Sequence, residues 1–228
     1  MSWQREWSRV RAIVWKDLTA ERRTKANFNA VLFFAVLTLF LFGFALGPDA
    51  DTIEAAAAGI LWLTILFSGV LTFNRSYEQE LEGGALDALL LYPGERRSIF
   101  IGKLLANLGF VLLVQGIMVP AAGLLYDLPL GRAPLQLALV LALGSLGFVT
   151  LGTFYAAMAS RVRAREVLLP LLLFPVLIPL LLGAVESTAA ILGGDLMGNA
   201  ATWIRLLVVF DVIFLAACLI AFDYVIEE

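Results

Sequence analysis

Six long apolar stretches alternate with short polar connections along the chain. They run roughly over Phe28–Leu46, Ile53–Phe73, Ile99–Leu125, Pro134–Ala159, Val167–Val185 and Trp203–Phe222. Each is close to the ~20 residues that a helix needs to cross a ~30 Å hydrocarbon core. The pattern predicts an all-α integral membrane protein with six transmembrane helices. It divides the chain into a leading segment, residues 1–26, and a six-helix membrane domain, residues 27–228.

The leading segment has a different period. Trp3, Trp7, Val10, Val14 and Leu18 recur every three or four residues, which places them on one face of a helix over residues 3–18. Arg5, Arg9 and Lys16 project from the opposite face. This is the pattern of an amphipathic interfacial helix with its indoles at headgroup depth. The plainer alternative is a helical flank that stops transfer.

The connection Asn74–Ser98 is the most unusual polar segment. Glu78, Glu80 and Glu82 mark a polar helical start, and Gly83 and Gly84 interrupt it. A short amphipathic helix follows, with Leu86, Leu89 and Leu90 on it, and Pro93–Gly94 ends it. An apolar cluster beside a water-filled compartment calls for a cover. The expected cover is a partner protein, with the headgroup layer as the alternative.

Within the spans, Gly152, Ala156 and Ser160 repeat every four residues, and Gly43 and Gly47 do so in the first span. Small residues at this spacing let helices approach closely, inside one bundle or between subunits. Span five carries Pro170, Pro175 and Pro179, each of which removes a helix hydrogen bond and favours a kink. Pro175 and Pro179 are therefore candidates for shaping an interface or a path. Asp211 lies eight residues into the last span, and Gln115 lies within the third. A carboxyl at that depth costs a few kcal/mol unless it is protonated, paired or wet, so Asp211 is a functional candidate. Arg205, six residues earlier, offers a structural pairing instead.

Charge orients the bundle. Of sixteen Lys and Arg, seven precede the first span, four lie in or beside the connection between spans two and three, and three lie between spans four and five. Only Arg132 and Arg205 fall near the other side. Short basic loops stay in the cytoplasm, so both termini are expected there, in a bacterial inner membrane. The basic leading segment is expected to face anionic lipid, not nucleic acid. No cleavable signal peptide is evident, because the first apolar run starts near residue 28 and is of full length. Composition agrees with the membrane reading: 61% of residues are hydrophobic, and mean hydropathy is +0.91.

Several chemistries are excluded. The chain has no histidine, so imidazole catalysis and histidine ligation of zinc or haem iron are outside its reach. A single cysteine, Cys218, excludes an internal disulfide and a multi-cysteine metal site. Gly102–Lys103 lacks the glycine-rich turn of a phosphate-binding loop and is followed by Leu104. No catalytic constellation is visible and no metal site is expected. The chain reads as a non-enzymatic membrane subunit driven by a separate ATPase, whose closure would push on residues 74–98 and tilt the attached spans.

These residues resemble the CcmB family, the haem exporter protein B of bacterial cytochrome c maturation. Three patterns carry the resemblance: Glu82-Gly83-Gly84-Ala85-Leu86-Asp87-Ala88-Leu89-Leu90-Leu91-Tyr92-Pro93; Ile101-Gly102-Lys103-Leu104-Leu105-Ala106-Asn107; and the proline run with Pro175 and Pro179. The first is shared loosely with many ABC-2-type permeases. The resemblance implies an ABC-2-type fold and a homodimeric permease bound to two copies of a CcmA-type ATPase. It also implies work alongside CcmC, CcmD and the haem chaperone CcmE. ATP would bind the partner ATPase. This chain would hold no resident cofactor, and haem would be a transported or handled ligand. The resemblance leaves open whether haem itself moves or whether ATP releases the loaded chaperone. The coupling residues would be Glu78, Glu82, Gly83, Gly84, Leu86, Leu89, Leu90 and Pro93. An ABC-2-type permease for a lipid, drug or polysaccharide, and a non-transporting scaffold, are the alternatives.

Overall fold

The computed structural model describes residues 2–47, 49–82, 97–159, 165–195 and 198–225. Among them are seven helices: α1 (Ser2–Thr24), α2 (Ala26–Leu46), α3 (Ala50–Glu82), α4 (Arg97–Leu125), α5 (Pro134–Ala159), α6 (Arg165–Gly193) and α7 (Asn199–Val225). The last six are long and apolar enough to cross a membrane, and they coincide with the six stretches of the sequence. The fold is an all-α membrane bundle with one additional helix, α1, at its N-terminal end.

Lys25, between α1 and α2, adopts a left-handed conformation, φ 52°, that breaks the helix there. Its side chain makes no cap. Glu21 of α1 does so instead: its carboxylate accepts the Phe28 amide at 2.7 Å and satisfies one of the free donors at the start of α2.

Helix α6 continues to Gly193, past the expected span end at Val185. Ser187 and Thr188 look like loop residues in the sequence, yet both are buried. Ser187 donates back to the Gly183 carbonyl, and Thr188 donates to the Ala184 carbonyl at 2.7 Å. With their hydroxyls satisfied inside the helix, they pass into the apolar interior. Arg132, from the α4–α5 connection, donates to the Leu192 carbonyl at 2.6 Å and so covers the last turn of α6.

Helix α5 is the axle of the bundle, packed against α3, α4, α6 and α7. It runs parallel to α3, and the two interlock by aromatic rings seated on glycines. Trp62 fills the notch at Gly144, Phe148 the notch at Gly69, and Phe73 the notch at Gly152. A Cβ at any of these glycines would collide with the ring, so the small residues of span four serve packing within the bundle. Gly43 likewise faces the Tyr126 ring, at 3.2 Å from where its Cβ would lie. The outward faces of α2 and α7 keep large apolar side chains exposed, among them Phe33, Phe44, Val209 and Val212, as lipid-facing surfaces require.

Candidate coupling hub and intramembrane polar seam

Two polar features stand out in this apolar bundle. The first lies at the basic end, where α1 crosses the start of α4. The face of α1 turned to α4 carries Glu6, Val10, Ile13 and Asp17 at helical spacing; Val10 and Ile13 are buried and the two acids half-buried. Glu6 accepts a hydrogen bond from the Ser98 hydroxyl. Ile13 packs on Gly102, where an added Cβ would lie 2.9 Å from its carbons. Asp17 Oδ2 lies 3.0 Å from the ammonium of Lys103, a lysine only 1% exposed. A buried ammonium without a counter-charge is strongly unfavourable, so the position of Asp17 makes this lysine tolerable.

The same turns of α4 reach α7. Phe100 and Phe222 pack with ring planes tilted by 42° and centroids 5.0 Å apart, both with no exposed surface. Arg97 Nε meets Asp223 Oδ2 at 2.8 Å, a partly exposed pair that contributes little on its own. The first two turns of α4 therefore gather α1 and α7 immediately after residues 83–96.

The second feature is a seam between the antiparallel helices α4 and α5. Asn107 donates to Thr153 at 3.0 Å, and Gln115 donates to Ser145 at 2.6 Å. Eight residues up α4 match eight residues back along α5, so the two bonds set one register between the helices. The Gln115 carbonyl oxygen and the Ser68 hydroxyl have no hydrogen-bond partner among the described residues. Both line a narrow cavity between α2, α3 and α4, with Val31, Thr72, Phe110 and Met118 around it.

Asp211 lies apart from this seam. It is buried at 5% exposure, and its carboxyl sits with Leu180 in the notch at Gly147. Neither of its oxygens has a hydrogen-bond partner among the described residues. The pairing with Arg205 that the spacing allows does not form; the Arg205 side chain is exposed.

The remaining candidates divide as follows. Gly83, Gly84, Leu86, Leu89, Leu90 and Pro93 lie outside the described residues, and Ser160 does as well. Trp3, Glu78 and Glu82 lie within α1 and α3, and only their helical backbone is described. On α1, Val10 is buried, Val14 is half-buried, and Trp7 and Leu18 are exposed. Trp7, Val14, Trp15 and Leu18 line an open groove of about 580 Å³ with Leu105 of α4. Pro175 and Pro179 are both exposed on α6, which is one uninterrupted helix. Sequence reasoning missed the docking stripe itself. Its signals were an acid, Asp17, in register with Val10, and a lysine set inside an apolar run.

Comparison with known proteins completes the picture. The family described as CcmB protein matches residues 8–227. Heme exporter protein B of Paracoccus denitrificans is 32% identical over 178 residues, covering 78% of this chain and 81% of the relative. The protein of the same name from Rhodobacter capsulatus is 32% identical over 177 residues, with 78% and 81% covered. That of Pseudomonas aeruginosa is 29% identical over 170 residues, with 73% and 75% covered.

Proposed function

The chain belongs to the CcmB family, and from that premise we propose that it is the permease subunit of an ATP-driven haem-export complex of cytochrome c maturation in the bacterial inner membrane. Both termini and residues 74–98 face the cytoplasm in this reading, as the charge distribution supports. A CcmA-type ATPase docks on the segment from Glu78 to Pro93 and supplies the energy. CcmC, CcmD and a CcmE-type haem chaperone complete the assembly, with this chain as a homodimer. Haem enters as cargo. The chain has no histidine with which to hold its iron, so contact with haem would run through the apolar porphyrin or through release of the loaded chaperone.

The observation that carries this reading is the convergence at the basic end. Residues 83–96 lead directly into Arg97, and the turns that follow hold α1 by Lys103 and α7 by Phe100. A push on the segment would therefore reach three helices at once. Replacing Leu89 and Leu90 with Asp is expected to weaken co-purification of the ATPase while leaving membrane insertion intact. Unchanged co-purification would remove the docking assignment. ATP-dependent recovery of haem-loaded chaperone from membranes with and without this chain tests the maturation role, and equal recovery would exclude it.

A further inference from the structure

We propose that the narrow cavity between α2, α3 and α4 binds one water molecule, which joins α3 to α4 through Ser68, Thr72 and Gln115. On α3, Thr64, Ser68 and Thr72 recur every four residues, and all three are buried. Thr64 donates back to the Ile60 carbonyl at 2.7 Å, and Thr72 donates to the Ser68 carbonyl at 2.8 Å. A hydroxyl inside a membrane helix is commonly satisfied in this way. Ser68 departs from the pattern. It lines the cavity, and its hydroxyl has no hydrogen-bond partner among the described residues.

The wall formed by α4 supplies the matching group. Gln115 uses its amide nitrogen on Ser145 of α5, at 2.6 Å, and its carbonyl oxygen has no partner among the described residues. Gln115 lines the same cavity. A water there accepts a hydrogen bond from the Ser68 hydroxyl and donates one to Gln115 Oε1. Thr72, also on the cavity wall, has acceptor capacity on Oγ1 for the water's second proton. Three hydrogen bonds are typical of a buried water.

Size points to the same ligand. The cavity has a volume of about 10 Å³, the lower edge of the roughly 10–15 Å³ that one water occupies. A lipid chain or a porphyrin does not fit. The residues that line it are all buried, the most exposed being Phe110 at 6%. Ser68, the water, Gln115 and Ser145 then make one polar chain across α3, α4 and α5. Its α4–α5 end is a direct bond that sets a register. Its α3–α4 end runs through a molecule that can turn and bond again.

The test is X-ray hydroxyl-radical labelling of the complete complex in lipid nanodiscs, equilibrated with heavy-oxygen water. Radiolysis of a bound water makes the radical in place, and an aromatic ring beside it takes up the oxygen. Phe110 is on the cavity wall. Phe148, likewise buried but seated in the Gly69 notch, is the control. Phe110 is expected to take up heavy oxygen and Phe148 is not. Equal uptake by the two rings, or none at Phe110, would overturn the proposal, with no dependence on how a variant folds. Ser68→Val removes the hydroxyl and fills the cavity, so uptake at Phe110 should fall to the level of Phe148. Uptake retained in that variant would mean that water arrives from outside the cavity, and would also overturn it. Should Ser68→Val fail to assemble, Val31→Ile adds one methyl group at the cavity wall with the polar groups in place, and the same loss is expected.

Discussion

The indole of Trp62 donates a 2.9 Å hydrogen bond to the hydroxyl of Thr188, joining α3 to α6 inside the bundle. Thr188 in turn donates a hydrogen bond to the Ala184 carbonyl, so its hydroxyl both accepts and donates. The same indole ring fills the Gly144 notch on α5. One side chain thus ties three helices together.

Thr188→Val keeps the indole in the notch and removes the hydrogen bond. It is expected to cost about 1 kcal/mol. Gly144→Val forces the ring out and should cost more, about 1–3 kcal/mol. Thermal unfolding in detergent, with the two variants side by side, checks the order. Equal losses would mean that the glycine notch is not a tight fit.

Among the described residues Asp211 has no hydrogen-bond partner to lose. Asp211→Asn should therefore leave thermal stability in detergent unchanged or slightly raised, because a neutral amide is cheaper to bury than a charge. Gly147→Leu, which drives a side chain into the space held by the carboxyl and Leu180, should destabilise by about 1–3 kcal/mol. A marked loss with Asp211→Asn would reveal a cation or donor supplied by another subunit.

The bond between Gln115 and Ser145 can be measured by a double-mutant cycle. Gln115→Leu, Ser145→Ala and the pair should show a coupling of about 0.6 kcal/mol, and not above about 1.7 kcal/mol. The Asn107–Thr153 bond, two turns away, should couple by a similar amount and add independently. A coupling near zero for both would show that apolar packing alone sets the α4–α5 register.

The α1–α2 corner makes opposite predictions at neighbouring positions. Glu21→Ala removes the carboxylate that caps α2 and should cost about 1 kcal/mol. Lys25→Gly relieves a left-handed backbone and should stabilise by up to about 1 kcal/mol. Chemical denaturation of the chain in mixed micelles reads both signs.

The docking face of α1 shows where pattern reading stops. Two stripes share Val10 on that helix. One, through Trp7, Val14 and Leu18, is apolar and easily seen in the sequence. The other, through Glu6, Ile13 and Asp17, contains two acids and reads as a solvated flank. The structure docks the second stripe on α4, with Ile13 buried and both acids half-buried, and leaves Trp7 and Leu18 of the first exposed. The stripes lie roughly 80° apart at 100° per residue. Hydropathy marks only the apolar stripe and passes over the one that docks on α4, because it counts an acid as a cost whatever counter-charge awaits it.

The six spans and the alternation of basic connections between them were readable from the letters alone. Lipid imposes that result locally: a helix must satisfy its own amides over about 20 apolar residues, and Lys and Arg resist translocation one loop at a time. Which apolar faces meet, and which polar side chains find partners, depends on residues far apart in the chain. Lys103 with Asp17, Gln115 with Ser145 and Trp62 with Thr188 are such pairs, and Asp211 without Arg205 is the counterexample. All six helices are apolar on nearly every side, so hydropathy carries no preference among their faces. Glycine notches and single polar contacts break that tie, and they exist only once the helices are packed.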